Sequence, residues 1–113
     1  MFLFSSSLFA EIITLSDEGS YHTITQRPGV IVVDFYASWC GPCKRMHPII
    51  AELAQQFPSV TFLKVDIDRF KSLARSLSVL SLPTFIIFKN GAQASFKAGF
   101  VSKSDFAKLL RNI

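Results

Sequence analysis

From Val30 to Tyr36 the chain reads Val-Ile-Val-Val-Asp-Phe-Tyr, apolar on both alternating faces apart from one carboxylate. A run of that kind suits a central parallel strand covered by helices above and below. From Gly41 onward the period changes. Met46, Ile49, Ile50, Leu53, Ala54 and Phe57 form the stripe of an amphipathic helix, which Pro58 ends. Val60 to Asp66 is apolar and β-branched enough for the next parallel strand, and Phe70, Leu73, Ala74 and Leu77 mark a short helix. After Pro83, the segments Thr84 to Phe88 and Ala92 to Ala98 flank Asn90-Gly91, a hairpin turn signal. Ser102 with Asp105 makes a variant capping box ahead of a last helix striped by Phe106, Leu109, Leu110 and Ile113. Upstream, Glu11 to Leu15 reads as a first strand. Ser16 or Asp17 can cap a following helix, which Gly19 and the threonines weaken, and Arg27-Pro28-Gly29 is a turn. Strands alternating with helices, then a terminal hairpin, predict an α/β fold: a central mixed β-sheet of four to five strands flanked by helices on both faces.

A chain of 113 residues, half of them apolar and twelve of them phenylalanine, is enough for one core and too little for two domains. The net charge of +4 comes from basic residues scattered between Arg27 and Arg111. No basic run with interleaved aromatics occurs, so no nucleic-acid partner is expected. The first ten residues are apolar, and Ala10 could end a signal sequence. Against this, no Lys or Arg precedes Arg27, serines interrupt the stretch, and Leu8 is a poor residue three before a cleavage point. The stretch is too short to span a membrane. The expected organisation is one domain over residues 11–113, with residues 1–10 an extension that is either a targeting segment or an added strand or packed tail.

The candidate chemistry lies in Trp39-Cys40-Gly41-Pro42-Cys43, which holds the only two cysteines of the chain. The pattern places Cys40 in the first turn of the long helix, after a buried strand. Three residues of separation put both side chains on one helical face, so a disulfide opens and closes with little backbone movement. The unpaired N–H groups at a helix amino terminus favour a thiolate on Cys40. Pro42 suits a first turn that needs no donor, and Gly41 lets another chain approach Cys40. Cys40, Cys43 and His47 lack a fourth ligand, so no metal is expected. Without a Gly-rich dinucleotide or phosphate loop, the chain should bind no nicotinamide or flavin of its own.

The segment Val33-Asp34-Phe35-Tyr36-Ala37-Ser38-Trp39-Cys40-Gly41-Pro42-Cys43-Lys44 resembles the active-site segment of the thioredoxin family. Lys64-Val65-Asp66-Ile67-Asp68 resembles that family's third strand, Leu82-Pro83-Thr84-Phe85 its proline loop, Phe88-Lys89-Asn90-Gly91 its hairpin and Lys97-Ala98-Gly99 the glycine beside its site. The resemblance runs over roughly residues 11 to 113 and implies a thioredoxin fold and a protein disulfide reductase. Cys40 would be the nucleophile and Cys43 the resolving thiol. The redox group would be the Cys40–Cys43 disulfide itself, with no bound cofactor, acting on disulfide-containing proteins and re-reduced by a thioredoxin reductase. A cytoplasmic monomer is implied, or an organellar or exported protein if residues 1–10 are a targeting segment.

Asp34 shares a strand face with Val30, Val32 and Tyr36. The strand alone favours an aspartate reaching solvent, whereas the resemblance places it buried behind Cys43 as an acid–base group, with Lys64 either tuning it or reaching for water. The resemblance also implies a cis Leu82–Pro83 bond facing the cysteines. The docking groove would be formed by Trp39, Gly41, Pro42, Leu82, Pro83 and Gly99, unless Trp39 is a core-edge aromatic. Ser81 and Phe100 depart from the common pattern, and Phe100 is expected to narrow or grease that groove. Two other functions share the fold: an oxidase or isomerase of an oxidising compartment, and a binding module without redox turnover. Gly41-Pro42 resembles the reducing members, and the intact cysteine pair argues against a binding module alone.

Overall fold

In the computed structural model, which describes residues 9–113, the elements are β1 (Glu11–Thr14), α1 (Gly19–Thr25), β2 (Val30–Tyr36), α2 (Gly41–Gln56), β3 (Thr61–Asp66), α3 (Lys71–Ser76), β4 (Thr84–Lys89), β5 (Ala92–Ala98) and α4 (Lys103–Arg111). The strands form one five-stranded sheet in the order β1-β3-β2-β4-β5. β2 lies at its centre, parallel to β3 and antiparallel to β4. Its side chains alternate as the two-sided apolar pattern requires. Ile31, Val33 and Phe35 pack with Leu15, Tyr21, Leu73 and Ile86 on one face. Val32 packs with Met46, Leu53, Phe85 and Phe106 on the other. Asp34, in step with Val32, therefore falls on the face covered by α2.

The long helix holds two departures from ideal bonding. Pro48 lies inside it, so the carbonyl of Lys44 loses the N–H it would otherwise receive. At the other end, Pro58 has no N–H to give the carbonyl of Ala54. Ala10, itself buried in the core, donates its N–H to that carbonyl at 2.7 Å instead. The extension ahead of the first strand thus caps α2 through Ala10. The remainder of the expected tail or targeting segment, Met1 to Leu8, lies outside the described residues.

The turn chemistry follows the sequence. Asn90 and Gly91 both have positive φ, 51° and 83°, the requirement of the tight hairpin turn whose twist matches its strands. A Cβ on Gly91 would sit 2.8 Å from Gln26 Oε1, and Gln26 Nε2 donates to the Gly91 carbonyl at 2.9 Å. Gly91→Ala is therefore expected to lower stability by about 1 kcal/mol, mostly through backbone strain, read as a reduced urea midpoint. Of the two candidate caps for α1, Asp17 serves: its carboxylate accepts the Ser20 N–H at 3.0 Å. Ser102 Oγ accepts the Asp105 N–H at 3.2 Å and opens α4.

Candidate active site

β2 delivers the chain to the sheet's carboxyl edge, where Cys40 caps α2 in an extended conformation. Its Sγ accepts the N–H of Cys43 at 3.2 Å, so the first cysteine occupies the place of a capping oxygen. The two cysteines form a disulfide with Cα atoms 5.3 Å apart, inside the ordinary range for such bonds. Cys40 is 5% exposed and Cys43 2%, packed with Ala37 against Tyr36, Ile67 and Leu82. The Leu82–Pro83 peptide bond is cis, and the N–H of Gly99, at φ +94°, donates to the Pro83 carbonyl at 2.7 Å.

A depression of about 360 Å³ opens over Cys40. Trp39, Gly41 and Pro42 form one wall, and Val79, Leu80, Ser81 and Leu82 the other. Four of the six expected docking residues thus meet there. Pro83 is buried behind Leu82, and Gly99 is bonded to Pro83; neither lines the depression. Trp39 is no core-edge residue: it is 66% exposed, and its Nε1–H donates to Asp68 Oδ2 at 2.9 Å. Phe100 does not narrow this depression. It takes part in a separate 480 Å³ groove with Lys97 and Leu109, and the Arg45 guanidinium lies 5.4 Å from its ring centroid.

Two residues of the site were not among those expected from the sequence: Leu80, 90% exposed at the rim, and Asp68, which holds the Trp39 indole. Leu80 follows Val79 in a loop with no periodicity, so nothing in the sequence marked which of the two turns outward. Asp68 stands 29 residues from Trp39, and only the return of β3 beside β2 brings them together.

Asp34 is 2% exposed, so it does not reach solvent as the bare strand suggested. Its Oδ1 is buried without a hydrogen-bond partner. It sits in register with Lys64 on β3. Burial raises its carboxyl from the ordinary 3.8 to about 6, and the Lys64 ammonium moderates that rise. Lys64 Nζ stands 4.8 Å from the centroid of the Tyr36 ring, which burial and the carboxylates of Asp66 and Asp34 hold above the usual phenol range. Between this part of the sheet and α2 lies a cavity of about 90 Å³, lined by Ile12, Asp34, His47, Ile50, Ala51 and Lys64. Among the described residues no group of three His, Cys, Asp or Glu side chains is arranged to hold a metal ion.

The thioredoxin family model matches residues 11–112. A thioredoxin H-type of Ricinus communis is 57% identical over 63 residues, 56% of this chain and 53% of that protein, so the aligned part spans about half of that relative. A thioredoxin of Chlamydia trachomatis is 44% identical over 82 residues, 73% of this chain and 80% of its own length. Among solved structures, thioredoxin from Trypanosoma brucei brucei superposes with a TM-score of 0.86 at 28% identity, covering 97% of this chain and 96% of that one.

Proposed function

The chain belongs to the thioredoxin family, whose members are thiol–disulfide oxidoreductases, and from that premise we propose that Cys40 and Cys43 carry dithiol–disulfide exchange as nucleophile and resolving thiol. Cys40 thiolate attacks one sulfur of a substrate disulfide, forming a mixed disulfide and releasing the other sulfur as a thiolate. Cys43 then loses its proton and attacks Cys40, closing the intramolecular disulfide and expelling the second substrate thiolate. The observation that carries this assignment is the cap of α2: the N–H of Cys43 points at the sulfur of Cys40, at the floor of the depression. An N–H donor and the positive end of a helix favour the thiolate of Cys40 over that of Cys43.

Asp34 receives the Cys43 proton through water, since its raised carboxyl exchanges protons near neutral pH. Lys64 keeps that carboxyl from rising further. Trp39, Gly41, Pro42 and Leu82 receive an extended substrate segment, while Pro83 and Gly99 hold the floor beneath Leu82. The family uses its own redox-active disulfide and no other cofactor. Its members act on disulfides and draw electrons from a partner reductase. The finer reading adds a cytoplasmic monomer with its domain over residues 11–113, the location being organellar or exported if residues 1–10 are a targeting segment. Among the described residues no helix is long and apolar enough to cross a membrane.

The test is stoichiometric. The reduced protein, mixed with an excess of a protein disulfide, is expected to release two substrate thiols per molecule and to end as the Cys40–Cys43 disulfide. Release of none would overturn the assignment. Trp39→Ala is expected to raise KM about tenfold with a smaller change in kcat, because it removes exposed docking surface and leaves the sulfurs in place. An unchanged KM in steady-state disulfide reduction would remove Trp39 from the docking surface.

A further inference from the structure

His47 follows Cys43 by one turn of α2, and its i+3 and i+4 neighbours Ile50 and Ala51 line the same cavity that it does. Facing them across that cavity are Asp34 on β2 and Lys64 on β3. The side of His47 turned away from the cavity is exposed. Its ring meets Tyr36 edge to face, with centroids 6.3 Å apart and planes at 80°, and Tyr36 in turn packs on the cluster that contains Cys43. A space of about 90 Å³ with polar groups on its wall has room for water, and the buried Oδ1 of Asp34 lacks any protein partner.

The geometry points to His47 as the proton outlet of the site: the imidazole takes through water the proton that Asp34 has received from Cys43, and hands it to solvent. This inference rests on the reading of Asp34 as proton acceptor for the resolving step. The balance is complete. Cys43 S–H loses its proton to the Asp34 carboxylate, the Cys40–Cys43 bond forms, and the bond from Cys40 to the substrate sulfur breaks to give a substrate thiolate. Asp34 passes the proton to neutral His47, whose imidazolium returns it to water, and Asp34 is again a carboxylate.

The charged and titratable groups around the ring are Asp34 and Tyr36 from β2, Lys64 from β3, and Cys43 and Lys44 from the helix itself. β1 brings only Ile12. Burial and the Lys64 ammonium both lower the imidazole pKa below its usual value, so the ring is neutral and able to accept at pH 7. Burial raises the Asp34 carboxyl to about 6, so it gives up a proton near neutral pH, and a neutral imidazole on the same cavity wall can take it. In this arrangement Lys64 acts on both groups, favouring the carboxylate of Asp34 and the neutral imidazole of His47, the states in which each is free to receive the proton.

The experiment is a single-turnover measurement. Reduced protein is mixed with an aromatic disulfide that releases a coloured thiolate, and the resolving step is followed from pH 5.5 to 8.5 in wild type, His47→Ala and His47→Gln. Both variants are expected to resolve about tenfold more slowly near pH 6.5, with added imidazole restoring the rate in His47→Ala and leaving the wild type unchanged. In an Asp34→Asn background, His47→Ala is expected to add nothing. Equal resolving rates in the three proteins would overturn the inference, and so would a slower variant with an unchanged pH profile and no imidazole rescue, since a structural role alone produces that. The two readings fail differently. If the wild type resolves no mixed disulfide, the assignment of Cys43 has failed, whereas a wild type that resolves normally beside an unaffected His47→Ala sinks only the outlet.

Discussion

Cys40→Ser is expected to reduce disulfide turnover at least about a thousandfold, because a serine hydroxyl at the same helix cap is no nucleophile at neutral pH. Cys43→Ser is expected to stop at a different point. Cys40 still attacks, the first substrate thiol is released, and the mixed disulfide then accumulates to one equivalent, visible by mass spectrometry on a peptide containing Cys40. The asymmetry follows from the cap. The Cys43 N–H points at Cys40 Sγ, and Cys40 is the member of the pair that borders the depression, whereas Cys43 faces the interior at 2% exposure. Mixed disulfide on Cys43 in the Cys40→Ser protein, at a rate comparable to wild type, would reverse the two roles. The fold should tolerate either change, since the reduced wild type already lacks the covalent link.

Asp34→Asn is expected to act on stability and on rate in opposite directions. Burial raises the folded carboxyl to about 6 from an ordinary 3.8, so between those two values the folded state holds a proton that the unfolded state has released. Stability therefore falls as the pH rises through that window, and above about 6 the full penalty of a buried carboxylate is present. The gap between the two values corresponds to roughly 3 kcal/mol. The asparagine amide carries no charge but must itself be hydrogen-bonded, so part of the gain is forfeited. Urea unfolding at pH 8 should show the variant about 1–2 kcal/mol more stable than wild type, and unfolding at pH 3.5, where the carboxyl is already neutral and only the cost of the amide remains, should show it about 1–2 kcal/mol less stable. The same variant is expected to close the mixed disulfide about 10 to 100 times more slowly at pH 7. A stability gain of equal size at both pH values would mean that packing, not charge, sets the difference. An unchanged closing rate would remove Asp34 from the proton path.

A residue whose presence costs folding stability and supports a rate is what a functional site built into a core requires. The Lys64 ammonium across the register limits the cost, and the same ammonium lies 4.8 Å from the centroid of the Tyr36 ring. A variant that removes Lys64 should accordingly raise the pKa of Asp34, and the pH dependence of closing should move up with it. Lys64→Met, titrated by the carboxyl signal of Asp34 in NMR, is expected to show that rise. A fall would contradict the electrostatic reading.

Local pattern carried most of the architecture. The two-sided apolar run of β2 made it the central strand, since only a strand buried on both faces tolerates that composition, and Asn90-Gly91 specified its hairpin because few other pairs accept positive φ at both positions. The cysteine spacing and the helix stripe behind it likewise placed Cys40 in the first turn of the long helix, one step from the cap position it takes ahead of Gly41. What stayed illegible depends on tertiary proximity. The partnership of Ala10 with Ala54 follows from Pro58 lacking an N–H, yet nothing in the first ten residues identifies the replacement donor. Asp68 beneath the Trp39 indole, Leu80 at the rim and His47 beside Asp34 are ordinary polar or apolar residues whose meaning comes from what they face. The course of Phe100 shows the same limit. A glycine at positive φ precedes it, and the chain swings its ring toward Arg45 and the groove beside α4, away from the cysteines.

The most direct measurement is the redox equilibrium of the Cys40–Cys43 pair against defined thiol–disulfide buffers, with the fraction oxidised read by alkylation and mass. The expected result is a reversible two-electron transition with a midpoint more negative than about −230 mV, on the reducing side of the range that dithiol couples span. A midpoint above about −200 mV would place the protein with oxidases and isomerases, and a pair that never equilibrates with the buffers would contradict redox function at these cysteines altogether.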